Sequence, residues 1–317
     1  MKNCRANVYM DTREIAREDW LAARRNGIGG SDAAAIMGAS QWASPLSVYV
    51  DKIGLAPEKE TSEAMRQGTD FESYVADRFT EETGIRLRRM NRMLQHPKYP
   101  WMLADIDRDV VGEEAGFEAK TTSVYNKCDF EGGEVPLTYQ WQCQHYMAVT
   151  GMPVWYLAVL VLGKAFHIFR IDRDEALISS LVAAEKDFWQ QHVEKRIPPF
   201  PIGADSDDDA IAAIYPDGRD GASMDLFELE NELDMLDLLK ADKRLLEQRI
   251  SENEEKIKLA LGECESGASV RWKVFWKNSM RTVIDTKRLR AEMPDVAERY
   301  STISNTRTFR VTKQKEA

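Results

Sequence analysis

Nine consecutive residues, Val154 to Leu162 (VWYLAVLVL), form the longest apolar stretch of this chain, and they constrain its fold more than any other feature. A membrane-spanning helix takes about 20 apolar residues, so the run is too short to cross a bilayer. It reads as a strand buried inside a sheet. Gly163-Lys164 then separates it from a second strand-like run over 165–171, which makes the pair a hairpin.

The elements around that strand set the fold class. Residues 13–25 read as a helix, and the turn Gly27-Ile28-Gly29-Gly30-Ser31-Asp32 leads into a short alanine-rich helix that ends near Gly38. Pro45 to Lys52 reads as a helix closed at Gly54. Met65 to Thr83 reads as a longer amphipathic helix with Phe71, Tyr74, Val75 and Phe79 on one side and Gly84 as its stop. Strand-like pieces follow over 85–94, 101–111 and 115–121, then a helix over 136–150, the hairpin, and a helix over 174–195. Helices, three strands, a helix, two strands and a helix predict a mixed α/β domain with a central sheet.

The texture changes after residue 200. Residues 201–224 are rich in Asp, Gly and Pro and read as an acidic linker. A long helix is expected over 225–262, with Leu226, Leu229, Leu233, Leu236, Leu239, Leu246, Ile250, Ile257 and Leu261 on one broad face. Residues 268–317 read as a small basic module with two or three β-like runs around Asp285-Thr286-Lys287. The expected organisation is therefore a core over 1–200, a linker over 201–224, and the long helix with its basic module over 225–317.

Charge and cysteine usage narrow the function classes. The chain has 317 residues and a formal net charge of −10, which argues against a general nucleic-acid binder. The charge is uneven, however. Acidic residues crowd 201–234, whereas Arg86, Arg88, Arg89 and Arg92 form one basic cluster and the C-terminal residues from Arg271 to Lys315 form another. Polyanion binding follows the local field. Cys4, Cys128, Cys143 and Cys264 are scattered without disulfide density or CxxC spacing, and residues 1–14 lack the apolar segment of a signal peptide. A reducing cytoplasm, with no membrane association, is the expectation.

Chemistry concentrates in Ala104 to Lys120 (ADIDRDVVGEEAGFEAK). Asp107 ends one strand-like run, a glycine turn follows, and then comes Phe117-Glu118-Ala119-Lys120. Glu118 and Lys120 are two apart and share a face of a strand. A hairpin brings Asp107 to the same end. Two carboxylates and a lysine at one point suit a divalent metal and the water it activates, the chemistry of phosphodiester hydrolysis. Taken alone, Glu118 and Lys120 also fit a surface ion pair of little worth. Gln142 and Tyr146 are one helical turn apart. Arg24 and Ser31 flank a glycine turn that opens a helix; this suits an anion, and equally a tight turn with a serine cap. His96, His145, His167 and His192 lack zinc spacing, and His145 reads as structural. Trp42 and Trp101 read as core or rim packing rather than DNA wedges.

In order along the chain, Asp107, Glu118-Ala119-Lys120 and Gln142 to Tyr146 resemble the Asp…Glu-x-Lys…Gln-x-x-x-Tyr series of the PD-(D/E)XK nucleases. Trp20 to Arg24, GIGGSDAAAIMG over 27–38, and Gly68-Thr69-Asp70-Phe71-Glu72 narrow the likeness to the YqaJ-type phage recombinase nucleases, relatives of bacteriophage lambda exonuclease. The resemblance covers roughly residues 10–195. It implies a restriction-endonuclease-like core and 5′→3′ digestion of linear double-stranded DNA. It also implies a single-strand annealing protein that receives the product, and a ring trimer inside a bacterial host or a cell carrying the prophage. Two ions of Mg²⁺ or Mn²⁺ are implied, with Asp107, Glu118, the Ala119 carbonyl and Glu72 as ligands. Lys120 is implied to act on the attacking water, and Gln142 to order the site. Arg24 and Ser31 are implied to hold a terminal phosphate, and Tyr146 to pack or to contact DNA. Asp105-Ile106-Asp107-Arg108 departs from the Asn-Leu-Asp-Gly common in the family, adding the Arg108 side chain and a competing carboxylate at Asp105. The rival expectations are a structure-specific or Cas4-like nuclease, disfavoured by the cysteine placement, and a non-catalytic DNA-binding assembly module.

Overall fold

The computed structural model describes residues 6–57, 61–125, 130, 133–302 and 307–313, so Cys4, Cys128 and Lys315 lie outside the described residues. The chain divides into two compact units, 1–216 and 217–317.

In the first unit, in chain order, are β1 (Asn7–Asp11), α1 (Arg17–Arg25), α2 (Gly30–Ile36), α3 (Pro45–Lys52), α4 (Glu63–Thr83), β2 (Leu87–Arg89), β3 (Arg92–Gln95), β4 (Leu103–Asp105), β5 (Arg108–Val110), β6 (Ala115–Ser123), α5 (Leu137–Thr150), β7 (Val154–Leu162), β8 (Ala165–Asp172), α6 (Glu175–Asp187) and α7 (Asp205–Ile214). The main sheet has five strands in the order β2-β5-β6-β7-β8. Only β6 and β7 run parallel, and their connection passes through α5. A second sheet, β1-β3-β4, is antiparallel throughout.

The apolar run of β7 is explained by what covers it. Trp155, Leu157, Val159 and Val161 face one core with Cys143, Met147 and Val149 of α5. Ala158 and Leu160 face the other, with Val75, Ala76 and Phe79 of α4 and Phe117 of β6. A sheet covered by a helix on each face needs apolar residues at both parities of its central strand. Serine and glycine bound the covering helix: the Ser62 hydroxyl caps α4 by accepting the Met65 N–H at 3.2 Å, and Gly84 ends it with φ at +73°.

Two strand-like stretches break where the sequence looks continuous. Residues 85–94 divide into β2 and β3, and 101–111 into β4 and β5, each pair split between the two sheets. Hydrophobic alternation does not register a strand that leaves one sheet for another. The break at Ile106-Asp107 matters most, because it leaves Asp107 outside the ladder.

The expected linker is corrected over 205–214, which form α7. Asp207 Oδ2 accepts the N–H groups of Ile202 and Ala204 at 2.8 and 3.0 Å, and Ala210 joins Leu46, Val50 and Phe188 in a small core. Aspartates suit the first turn of a helix, where free N–H groups and the dipole favour negative charge. An acidic composition therefore does not distinguish a helix start from a solvated loop.

The second unit holds a short 3₁₀ turn (Phe227–Leu229), α8 (Glu230–Leu261), the hairpin β9 (Ser266–Ala268) and β10 (Lys273–Phe275), α9 (Thr286–Glu292) and α10 (Pro294–Arg299). The β-like reading around 285–287 gives way to a helix start: Asp285 Oδ1 accepts the Arg288 N–H at 2.9 Å. None of the residues of α8 is buried. Among the described residues no helix is long and apolar enough to cross a membrane.

Candidate active site

The β5–β6 hairpin turns at Gly112 (φ +91°) and sets Arg108 opposite Phe117. Asp107 lies at a bend just before that ladder and lines a cleft with Gln142 and Tyr146 of α5. Asp107 Oδ2 accepts the Ala119 N–H at 2.9 Å. A residue's N–H and C=O leave a strand on the same edge, so the Ala119 carbonyl also lies on the Asp107 side. Lys120 Nζ donates to Glu118 Oε1 at 2.6 Å, as period-two spacing requires.

Glu118 is 3% exposed, and its oxygens are unequal. Oε1 takes both Lys120 Nζ and, at 2.7 Å, Gln142 Nε2. Oε2 is buried with no hydrogen-bond partner. Burial pushes the Asp107 carboxyl well above its usual range, and the like charge of Glu118 adds to the shift. Burial also raises Glu118 against the opposing pull of Lys120. Burial would lower Lys120, but Glu118 and Asp107 outweigh it and hold the ammonium charged. Two buried carboxyls that each resist ionisation thus share one charged lysine.

Helix α5 supplies the back wall. Gln142 Nε2 also donates to the Tyr146 hydroxyl at 2.9 Å, so one amide ties helix to strand. Gly30 permits this packing: a Cβ there would lie 2.6 Å from the Tyr146 ring and 3.0 Å from Gln142 Cγ. Across the cleft, Arg24 Nη2 donates to Ser31 Oγ at 2.9 Å. Ser31 is not the cap of α2. Gly29 precedes the helix, and Asp32 Oδ2 accepts the Gly29 N–H at 2.8 Å while pairing with the buried Lys52 Nζ at 2.7 Å. One cleft of about 210 Å³ is lined by Arg24, Ser31, Asp105, Asp107, Gln142 and Tyr146, among others. Asp105 does share the Asp107 side, but its Oδ2 is committed to the Trp20 indole N–H at 2.7 Å.

Glu72 is held by a different partner from that carboxylate pair. Its Oε1 accepts Arg108 Nη2 at 3.3 Å, although its charge still reaches Asp107 and Glu118. Among the described residues no group of three or more His, Cys, Asp or Glu side chains is arranged to hold a metal ion. The donor set at the cleft is two carboxylates with the Ala119 carbonyl. A hard divalent cation fits it: the oxygens are of the right kind, Glu118 Oε2 lacks a partner, and a cation would relieve the repulsion that raises Asp107.

Sequence reasoning gave no hint of the ion pair that braces this wall. His145 Nε2 donates to the Leu103 carbonyl at 2.8 Å, and Nδ1 meets Glu185 Oε1 at 2.7 Å, with both side chains fully buried. The partner lies 40 residues away on α6, so no local spacing advertises it. Trp42, expected to pack, is 67% exposed.

A mixed sheet between helices brings the Asp107 side chain against the Glu118-Ala119-Lys120 stretch of its central strand β6. Residues 19–153 match the YqaJ-like viral recombinase domain. The chain is 35% identical over 314 residues to the uncharacterized protein YqaJ of Bacillus subtilis (strain 168), spanning 98% of each protein, and it belongs to the YqaJ family. Among solved structures it is similar to an alkaline exonuclease from Laribacter hongkongensis, at 22% identity and a TM-score of 0.46, over 56% of this chain and 93% of that one. It is also similar to a phage-related exonuclease from Haemophilus somnus, at 12% identity and a TM-score of 0.42, over 54% of this chain and 96% of that one.

Proposed function

We propose that this protein is a metal-dependent deoxyribonuclease that digests one strand of linear double-stranded DNA from its 5′ end and hands the remaining strand to a single-strand annealing protein in phage-type recombination. Its setting is the cytoplasm of a bacterial host, and a ring trimer is the assembly that family likeness suggests. The observation that carries the reading is Glu118: a buried carboxylate with one oxygen held by Lys120 and Gln142 and the other without a hydrogen-bond partner, close enough to Asp107 for its charge to be felt there.

Asp107, Glu118 and the Ala119 carbonyl would hold Mg²⁺ or Mn²⁺. When bound, such an ion supplies positive charge against phosphoryl oxygens and makes a water at the centre more acidic. The protein groups do the rest. Lys120 keeps its proton and offers it as a hydrogen bond to the attacking water and to charge growing on the phosphate. Gln142 fixes which Glu118 oxygen stays free. Tyr146, held by Gln142, shapes the wall against which a nucleotide stacks or packs. Arg24 and Ser31 present a guanidinium and a hydroxyl to a terminal phosphate, which would set the direction of digestion.

The test uses end-labelled linear duplex and covalently closed circles with Mg²⁺. Linear DNA is shortened, faster with a 5′ phosphate, and circles stay intact. Glu118→Gln and Lys120→Ala each lower the rate by about 100-fold or more, the scale for losing one preorganised electrostatic group. Nicked circles would instead indicate an endonuclease, and full activity in both variants would remove the site assignment.

A further inference from the structure

Glu72 is gripped from the sheet side by arginine. Arg108 and Arg89 lie directly opposite each other on β5 and β2. Arg108 Nη2 donates to Glu72 Oε1 at 3.3 Å and approaches Ser73 Oγ at 3.4 Å, while Arg89 Nη2 donates to the same Ser73 Oγ at 3.0 Å. Like charges set opposite on neighbouring strands repel unless an acid lies between them. Here one turn of α4 supplies that acid. The Arg108 side chain is only 12% exposed, so this pair is screened far less than a surface ion pair.

The two faces of the sheet divide the charges. Arg108 lies opposite Phe117, which belongs to the core under α4, whereas Asp107 lines the cleft with Gln142 and Tyr146 of α5. Asp107 and Glu118 meet on the α5 face, and Arg108 meets Glu72 on the α4 side. The carboxylates at the centre are thereby split into a pair that lacks a cation of its own beyond Lys120, and a third carboxylate that already has one. This agrees with the absence, among the described residues, of three convergent metal-ligating side chains.

We infer that Arg108 is a positioning residue that stands in for a second metal ion: by neutralising Glu72 it withdraws that carboxylate from the ligand set and leaves a centre that takes one divalent cation, on Asp107, Glu118 and the Ala119 carbonyl. The inference rests on the nuclease reading above and deepens it, because it sets the metal count of the same site. Removing the guanidinium frees Glu72 to serve as a ligand, and the centre then accepts a second ion.

The experiment is Mn²⁺ titration of the full-length, metal-free chain, followed by calorimetry and by the electron paramagnetic resonance of free and bound Mn²⁺. It is run with and without a duplex whose terminal linkages are phosphorothioates. The native chain binds a single ion, and Arg108→Lys also binds one. Arg108→Gln and Arg108→Gly bind two, with the spectral broadening of a coupled Mn²⁺ pair. Glu72→Gln added to either variant returns the count to one. Circular dichroism of each variant checks that the fold persists, and Arg108→Gln keeps most of the side-chain volume should the glycine variant unfold. Two ions in the native chain, or one ion in both folded variants, overturns the inference and leaves the nuclease reading standing. No ion in any of them, together with no cleavage in Mg²⁺, overturns both.

Discussion

A carboxylate that is 3% exposed beside a second buried carboxylate is costly to keep charged, and the metal ion of the proposed function would offset that cost at Glu118. In the metal-free protein, Glu118→Gln removes that repulsion while keeping the shape. We expect the variant to match or exceed the native thermal midpoint, by up to about 2 kcal/mol in unfolding free energy. The rise in midpoint that Mg²⁺ gives the native chain should vanish in the variant. A variant that loses several degrees without metal would show Glu118 to be a structural ion pair with Lys120. A second expectation concerns His145. Burial would lower its pKa, but the Glu185 carboxylate outweighs burial and holds it above 6.5. Burial raises Glu185 in turn, against the pull of His145. Both shifts are upward, so the folded chain binds protons here more readily than the unfolded chain. The stabilisation is therefore complete at acid pH and is lost as pH rises through the folded values. Thermal midpoints measured from about pH 5 to 8, the range in which imidazole titrates, should fall toward the alkaline side. That slope should flatten in His145→Gln. At this scale Glu118 and Lys120 were legible because a strand's period of two fixes which neighbours share a face. His145–Glu185 and Arg108–Glu72 were not, because each joins elements whose contact only the fold decides.

At the scale of elements, the strand that carries Glu118 and Lys120 is positioned from behind by α5, and α5 by its contact with α2. Gly30 is where those two helices come closest. A methyl group there would meet the Tyr146 ring at 2.6 Å and Gln142 at 3.0 Å, and Gln142 holds Glu118 at 2.7 Å. Overpacking a tight contact costs about 1–3 kcal/mol. Gly30→Ala should therefore lose stability in that range and also lower kcat, because the displaced amide no longer fixes the Glu118 oxygens. Steady-state kinetics and denaturant melts on one preparation check both. A variant with native kcat and native stability would mean that α2 and α5 yield independently of the site. The helices were readable from their apolar residues and their stop signals, such as Gly38 after the alanine-rich helix and Gly84 after α4. The strands were readable only as runs. Their allocation to two sheets, and the position of Asp107 between them, depends on where β4 and β5 find partners, which alternation leaves open. Helix α7 was hidden for another reason: its aspartates serve a helix start, and only its last turns, with Ala210, Ala213 and Ile214, carry the apolar side that packs on the core.

For the whole molecule, a net charge of −10 has to be reconciled with a polyanionic substrate. The first unit carries a concave arginine cluster lined by Arg13, Arg88, Arg89 and Arg92. Arg13 is paired with Asp11 and Arg88 with Asp109, whereas among the described residues the Arg89 side chain bonds only the Ser73 hydroxyl and the Arg92 side chain makes no hydrogen bond or ion pair, although its charge reaches Asp11. The cluster adjoins the centre, since the Met90 N–H donates to the Asp107 carbonyl at 3.3 Å. The second unit offers the competing basic surface that its sequence advertises. Every apolar core cluster draws its buried residues from positions before 217, so a chain ending at Pro216 should fold by itself. If the arginine cluster carries the phosphate contacts, this truncated chain should bind duplex DNA with nearly the native dependence of log affinity on log salt. Arg92→Gln in the full chain should reduce that slope by about one and weaken all sequences alike, as loss of one phosphate contact does. Fluorescence anisotropy of a labelled duplex across a range of salt concentrations measures both. A truncated chain that folds, but whose salt slope collapses while Arg92→Gln leaves it unchanged, would move the DNA-binding surface to residues 217–317.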